Sequence, residues 1–202
     1  SAEFNGGTHM SMEDIGVLRS IPNLVIFEPV DAVQLYKSLP VILEYNGPVY
    51  IRMFRKVADP IFGDNYNFDL FKADIVKEGT DVTLLASGIM VKEALKASEI
   101  LKNEGINVEI INVHTIKPLD EETILNSLRK TKACVVLENH NLIGGLYSAV
   151  SELLVEKLPM RITKIGVKDR FGEVGKMPYL KEIMGMTTED VVEATKKVIS
   201  YK

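Results

Sequence analysis

A chain of 202 residues, 46% hydrophobic and 26% charged, can bury one large core or two small ones and has the composition of an ordinary globular protein. Its formal net charge of −4, from 24 basic and 28 acidic residues, leaves no broad basic footprint, so nucleic acid is not an expected partner. No apolar stretch approaches the roughly 18 to 20 residues of a membrane span, no basic-then-apolar leader opens the chain, and the single cysteine, Cys134, forbids an intrachain disulfide, so the expectation is a cytoplasmic protein without membrane association.

In chain order, Ser11 with Asp14 three residues on predicts an N-cap and an acidic first turn for a helix ending before Pro22. Leu24 to Glu28 reads as a short buried strand closed by Pro29. Asp31 caps a second helix to about Tyr45, which Pro40 should kink or divide because it has no amide hydrogen to donate. Asn46-Gly47-Pro48 turns the chain into a strand from Val49 to Phe54, ended by Arg55. To about residue 58 there are thus two strands joined by one helix, with one helix ahead of them. A parallel pair needs more strands and two covered faces, so by strand count this front region is an incomplete domain.

Asp59 to Asn67 has the turn-forming composition of a linker, placed at 59–69. Ala73 to Val76 and Val82 to Ala86 flank Lys77-Glu78-Gly79-Thr80-Asp81 and read as a strand, a turn and a strand. Gly88 leads into a helix with Ala94, Leu95, Ile100 and Leu101 near helical spacing, stopped by Gly105. Val108 to Val113, Ala133 to Leu137 and Ile162 to Val167 supply further buried strands, with helices at about 120–130, 142–157 and 188–200, the last capped by Thr187 with Asp190. The alternation predicts a compact α/β domain over 70–202 with a mainly parallel sheet and a leading hairpin strand.

Several residues are weighed for chemistry. Gly144-Gly145, after a strand and before a helix, can cradle an anion or let the helix approach its neighbour closely; the G-x-G-x-x-G spacing is absent, and close packing is favoured. His114 follows a strand end and His140 a strand's apolar run, and both read better as structural hydrogen-bonding groups than as bases. Cys134 reads as a small core residue. No metal-ligand spacing and no Gly-x-Ser-x-Gly elbow occur. His9, in a glycine-flanked loop before a helix, can project an imidazole that exchanges a proton near neutrality. Arg55, at a strand's carboxyl edge, can grip a phosphate bidentately, with Arg52 a weaker alternative on the same strand.

Glu138-Asn139-His140-Asn141-Leu142-Ile143-Gly144-Gly145-Leu146 resembles a signature of the C-terminal domain of the transketolase family, and Gly6-Gly7-Thr8-His9-Met10-Ser11-Met12-Glu13-Asp14-Ile15 is similar to the substrate-side loop of its pyrimidine-binding domain. His114 to Asp120 and Lys168 to Gly175 also match family segments, with Val174 where serine is common and Tyr147 where a small residue is common. Ser1-Ala2-Glu3-Phe4 reads as a cloning remnant and Thr8-His9-Met10 shares that look, while Thr8-His9 with Ser11 and Glu13-Asp14 keeps the family register.

The resemblance implies an α/β fold in which residues 1–58 are the C-terminal remnant of a pyrimidine-binding domain and 70–202 a complete three-layer transketolase C-terminal domain. It implies transfer of a two-carbon ketol unit between sugar phosphates with thiamine diphosphate, in carbohydrate metabolism of the pentose phosphate type. His9 would donate a proton to, or polarise, the donor carbonyl, Arg55 would anchor the substrate phosphate, and Asn5 stands where many members read a substrate hydroxyl with aspartate. In the family the activating glutamate, the pyrimidine bed and the Mg site lie outside the regions matched here. The chain alone is therefore expected to bind neither cofactor nor metal and to be inactive without an N-terminal transketolase section or subunit, and a homodimer through the C-terminal domain is expected. The alternatives are a β-subunit fragment of a 2-oxo-acid dehydrogenase and a non-enzymatic dimerisation or regulatory module.

Overall fold

The computed structural model describes residues 9, 11–56 and 58–202. The front region holds α1 (Asp14–Leu18), β1 (Val25–Phe27), α2 (Ala32–Glu44) and β2 (Val49–Ile51). Ser11 does not cap α1: Glu13 takes that place without a side-chain cap, and the single turn is held instead by Ile15, which is fully buried. Asp31 caps α2 as predicted, its Oδ1 accepting from Gln34 N at 2.8 Å. Pro40 does not divide that helix, because the carbonyl deprived of a partner belongs to Tyr36, an exposed residue whose backbone water can serve. β2 is shorter than expected and stops at Ile51, so Arg55 lies beyond the strand rather than at its end.

The remainder runs β3 (Asp74–Lys77), β4 (Val82–Ala86), α3 (Met90–Asn103), β5 (Val108–Asn112), β6 (Thr115–Lys117), α4 (Glu121–Thr131), β7 (Cys134–Asn141), α5 (Leu146–Lys157), β8 (Ile162–Val167), α6 (Met177–Met184) and α7 (Thr188–Ile199). A five-stranded sheet has the order β3-β5-β4-β7-β8, parallel throughout except for β3, which is antiparallel to β5. The expected β3–β4 hairpin is not formed. β4 is fully buried between β5 and β7, leaving no edge for β3, which pairs with β5 instead. Thr187 and Asp190 form the predicted capping box of α7.

Two apolar layers cover the two faces of this sheet. Leu84, Ala86, Val135 and Leu137 meet Val91 and Ala94 of α3 and Val191 of α7 on one face. Leu85, Cys134 and Val136 meet Ile124 and Leu128 of α4 and Val150 of α5 on the other, and Ile15 and Ile26 of the front region belong to this second layer. The front strands also gain a third member that strand counting missed, since β6 lies antiparallel to β1 in a sheet ordered β2-β1-β6. The segment expected as a linker is tied to the front region: Ile61 N and Phe62 N donate to Asp31 Oδ2 at 2.7 and 2.8 Å. No helix among the described residues is long and apolar enough to cross a membrane.

Candidate active site

The carboxyl ends of the parallel strands in both sheets meet around one buried guanidinium. Arg52, 8% exposed, follows β2 and donates from Nε to Asp14 Oδ2 (2.8 Å), from Nη1 to Glu28 Oε1 (2.5 Å), and from Nη2 to Asn139 O (2.9 Å) and Ser11 O (3.3 Å). Those partners come from α1 and its approach, the end of β1, and β7. Ser87, just after β4, donates to the second Glu28 oxygen at 2.7 Å, and Tyr50 OH donates to Asp14 Oδ2 at 2.9 Å. Burial by itself would raise the Asp14 carboxyl, but the adjacent Arg52 charge and the hydrogen bonds from Arg52 and Tyr50 hold it below its ordinary value. Ligands of open α/β sheets gather at such strand ends.

His140 lies beside this cluster and is wholly buried. Its Nδ1 donates to Asn141 O at 2.6 Å and its Nε2 accepts from Ile15 N at 3.1 Å, which fixes a neutral tautomer; burial and then the Arg52 charge push its pKa down. The residue therefore joins α1 to β7 and cannot serve as an exposed base, as the sequence reading held. His114 is likewise buried, bonded through Nε2 to Lys72 O at 2.9 Å, edge-on to Phe27, and pushed down to about 4 by burial.

Glu138 accounts for the glycine pair. Its carboxyl oxygens accept from Leu146 N (2.7 Å) and Tyr147 N (3.0 Å), so the first amides of α5 are served by this side chain. A Cβ on Gly144, whose φ is +81°, would meet Gly16 Cα at 2.6 Å, so the pair permits close packing, as expected, and does not cradle a phosphate. Burial raises the Glu138 pKa from 4.5 to about 8 despite those two donors. The folded state thus holds a proton that the unfolded state has lost between these values. The contribution of this group is full below pH 4.5 and is lost as pH rises to about 8, by at most ~1.4 kcal/mol per pH unit. Urea unfolding at pH 6 and pH 8 checks this: the wild type should be weaker at pH 8, and Glu138→Gln should lose most of that difference. A stability that rises over this range and is insensitive to Glu138→Gln would refute it.

His9 is exposed and stands two residues before Ser11, whose carbonyl is held by Arg52; at 3.8 Å per Cα step the two Cα atoms are within about 7.6 Å. Arg55 is exposed three residues after Arg52 and lines a cavity of about 240 Å³ with Pro29, Val30, Asp31 and Phe54. An adjoining cavity of about 140 Å³ shares Val30 and Phe54 and adds Gly88, Lys92 and Lys181. Asn5 lies outside the described residues. His9 and Arg55 are thus each two or three residues along the chain from a segment that Arg52 holds, and neither is among the partners of Arg52 named above. Asp14 and Glu28 were not singled out. The available signal was a pair of single charges at the ends of short apolar runs, Glu28 after Val25-Ile26-Phe27 and Arg52 after Val49-Tyr50-Ile51, which when buried must find partners.

Comparison with known proteins bears on the same residues. The family model for the transketolase C-terminal domain matches residues 71–191, and that for the transketolase pyrimidine-binding domain matches residues 1–59. The chain is 51% identical over 202 residues to the 6-deoxy-6-sulfo-D-fructose transketolase subunit SqwH of Clostridium sp. (strain MSTE9), covering 100% of this chain and 63% of that one. It is 39% identical over 194 residues to a 1-deoxy-D-xylulose-5-phosphate synthase of Pelotomaculum thermopropionicum, covering 94% of this chain and 30% of the synthase. A solved structure described as a split gene transketolase, inactive beta4 tetramer, superposes with a TM-score of 0.91 at 39% identity, over 97% of this chain and 64% of that one. The chain spans a little under two thirds of the first and last of these relatives. Matches of this extent, in the order pyrimidine-binding domain then C-terminal domain, mean that the chain belongs to the transketolase family.

Proposed function

We propose that this chain is the C-terminal section of a split transketolase, moving a two-carbon ketol unit between sugars that carry a terminal oxyanion, together with an N-terminal partner subunit. The observation that carries the reading is the junction at Arg52, where the approach to α1, two residues after His9, is tied to the exit of β2 that leads to Arg55. The match of the pyrimidine-binding-domain model to residues 1–59, His9 included, supports it. In this reading residues 1–58 are the C-terminal remnant of a pyrimidine-binding domain, 59–69 link it to the next, and 70–202 form the C-terminal domain. A cytoplasmic location belongs to the same reading.

Thiamine diphosphate, when bound in the full assembly, supplies the electron sink that stabilises the carbanion left by the donor ketose. Among the described residues no group of three or more His, Cys, Asp or Glu is placed to hold a metal ion. What the chain contributes is polar positioning. The His9 imidazole polarises the donor carbonyl or donates a proton to its oxygen, and Asn5 meets a hydroxyl of the same sugar. The Arg55 guanidinium grips the distal oxyanion, a phosphate or, by the name of the 51%-identical relative, a sulfonate. Both anions are tetrahedral and offer oxygens in a plane that suits the guanidinium fork.

The test is reconstitution. This chain, the matching N-terminal section, thiamine diphosphate and magnesium should together transfer a ketol unit from a sugar phosphate or a 6-sulfo sugar to an aldose, and neither section alone should do so. Calorimetric titration of the chain alone with cofactor and magnesium should be flat. Dimerisation or tetramerisation of the chain with no activity from the reconstituted mixture would favour a non-enzymatic assembly module. Activity that required a lipoyl-bearing partner would favour a 2-oxo-acid dehydrogenase component.

A further inference from the structure

We infer that Arg52 is a positioning residue for ketol transfer, holding the loop that carries His9 in register with the strand exit that carries Arg55; this rests on the function proposed above. Arg52 is buried, so it does not itself meet the sugar, yet the four side-chain hydrogen bonds described above are distributed over three separate pieces of the chain that converge at the strand ends. Nε and one Nη2 contact hold the approach to α1 through Asp14 and Ser11. Nη1 holds Glu28, where β1 ends, and the second Nη2 contact holds Asn139 of β7. Each carboxylate has a second donor, Tyr50 on the same Asp14 oxygen that Arg52 uses and Ser87 on the other oxygen of Glu28, so the guanidinium sits in a frame that suits a planar fork.

A lysine at this position keeps one charge but not the fork. Its single ammonium can satisfy Glu28 or Asp14 with one carbonyl, not both carboxylates and both carbonyls. The contact most easily given up is the longest, to Ser11 O at 3.3 Å, which is the one nearest His9. The inference is thus directional: loosening Arg52 displaces the carbonyl-facing loop first, while the Arg55 side, anchored through Arg52 N to Phe27 O at 2.8 Å, keeps its backbone bond whatever the side chain.

The experiment uses the complex with the N-terminal section and cofactor, assayed with phosphorylated and unphosphorylated donors. Arg52→Lys should lower kcat by about tenfold to a hundredfold with little change in KM, the size expected when a reacting group is misplaced by roughly 1 Å. The preference for the anionic donor should persist, since Arg55 is untouched. In a His9→Ala background Arg52→Lys should cost almost nothing more, because the group it positions is already gone. A wild-type kcat in folded Arg52→Lys, the full loss repeated in the His9→Ala background, or loss of the anion preference would each overturn the inference. If Arg52→Lys does not fold, Asp14→Asn, which removes a charge and keeps the shape, should show a smaller loss of the same kind, again masked by His9→Ala; its failure to do so overturns the inference equally. Absence of ketol transfer by the wild-type complex with every donor would sink the proposed function, and the role of Arg52 with it, whereas the outcomes above sink the role of Arg52 alone.

Discussion

Gly145→Ala is expected to destabilise the protein by about 4 kcal/mol or more, the range reached only when a buried group has no room and no way to yield. The added Cβ would fall well inside van der Waals contact with Glu138 Oε2 and 2.7 Å from His140 Nδ1. Neither can retreat. Glu138 is fully buried and serves the first two amides of α5, and His140 holds Ile15 N on one side and Asn141 O on the other. The glycine's own φ of −82° is one any residue adopts, so the penalty is steric and not conformational. Gly105→Ala is the contrast: nothing stands within 4 Å of its Cβ, but its φ is +79°, so about 1 kcal/mol is expected from backbone strain alone. Urea unfolding of the two variants separates the mechanisms. Equal, mild losses would mean that Glu138 and the start of α5 pack less rigidly than their hydrogen bonds require.

Arg55→Ala, in the reconstituted enzyme, should remove most of the preference for donors bearing a phosphate or sulfonate over those bearing a hydroxyl. Hydrogen bonds to a charged group contribute about 1.5 to 3 kcal/mol, so kcat/KM for the anionic donor alone should fall roughly tenfold to a hundredfold or somewhat more. Arg55 is exposed in the free chain, and the upper part of that range requires that the bound sugar and partner exclude water from it. Arg55→Lys should recover part of the loss, because it restores the charge without the bidentate geometry. Equal loss for both donor types would point to disturbance of the Met53 to Arg55 turn, and the anchoring role would be withdrawn.

The α/β alternation, the capping of α2 by Asp31 and of α7 by Thr187 with Asp190, and the glycine pair's service to close packing were all legible in the sequence, because each depends on residues within one element or its immediate flank. The family was legible for a related reason: its segments are short, ordered and local. What only the tertiary structure decided involves partners far apart in the chain. Whether Val82 to Ala86 pairs with the strand before it or with those after it depends on which edge stays open, and two later strands close it on both sides. β6 completes the front sheet across nearly ninety residues of intervening chain, a pairing that no local pattern encodes. The site follows the same division. The roles proposed for His9 and Arg55 rest on their type and flanks, whereas Arg52 reads in sequence only as a weaker phosphate-binding alternative on the same strand. Its role comes from the low-dielectric junction in which Asp14 and Glu28, themselves unremarkable in sequence, are driven to share a single cation because a buried carboxylate must be paired.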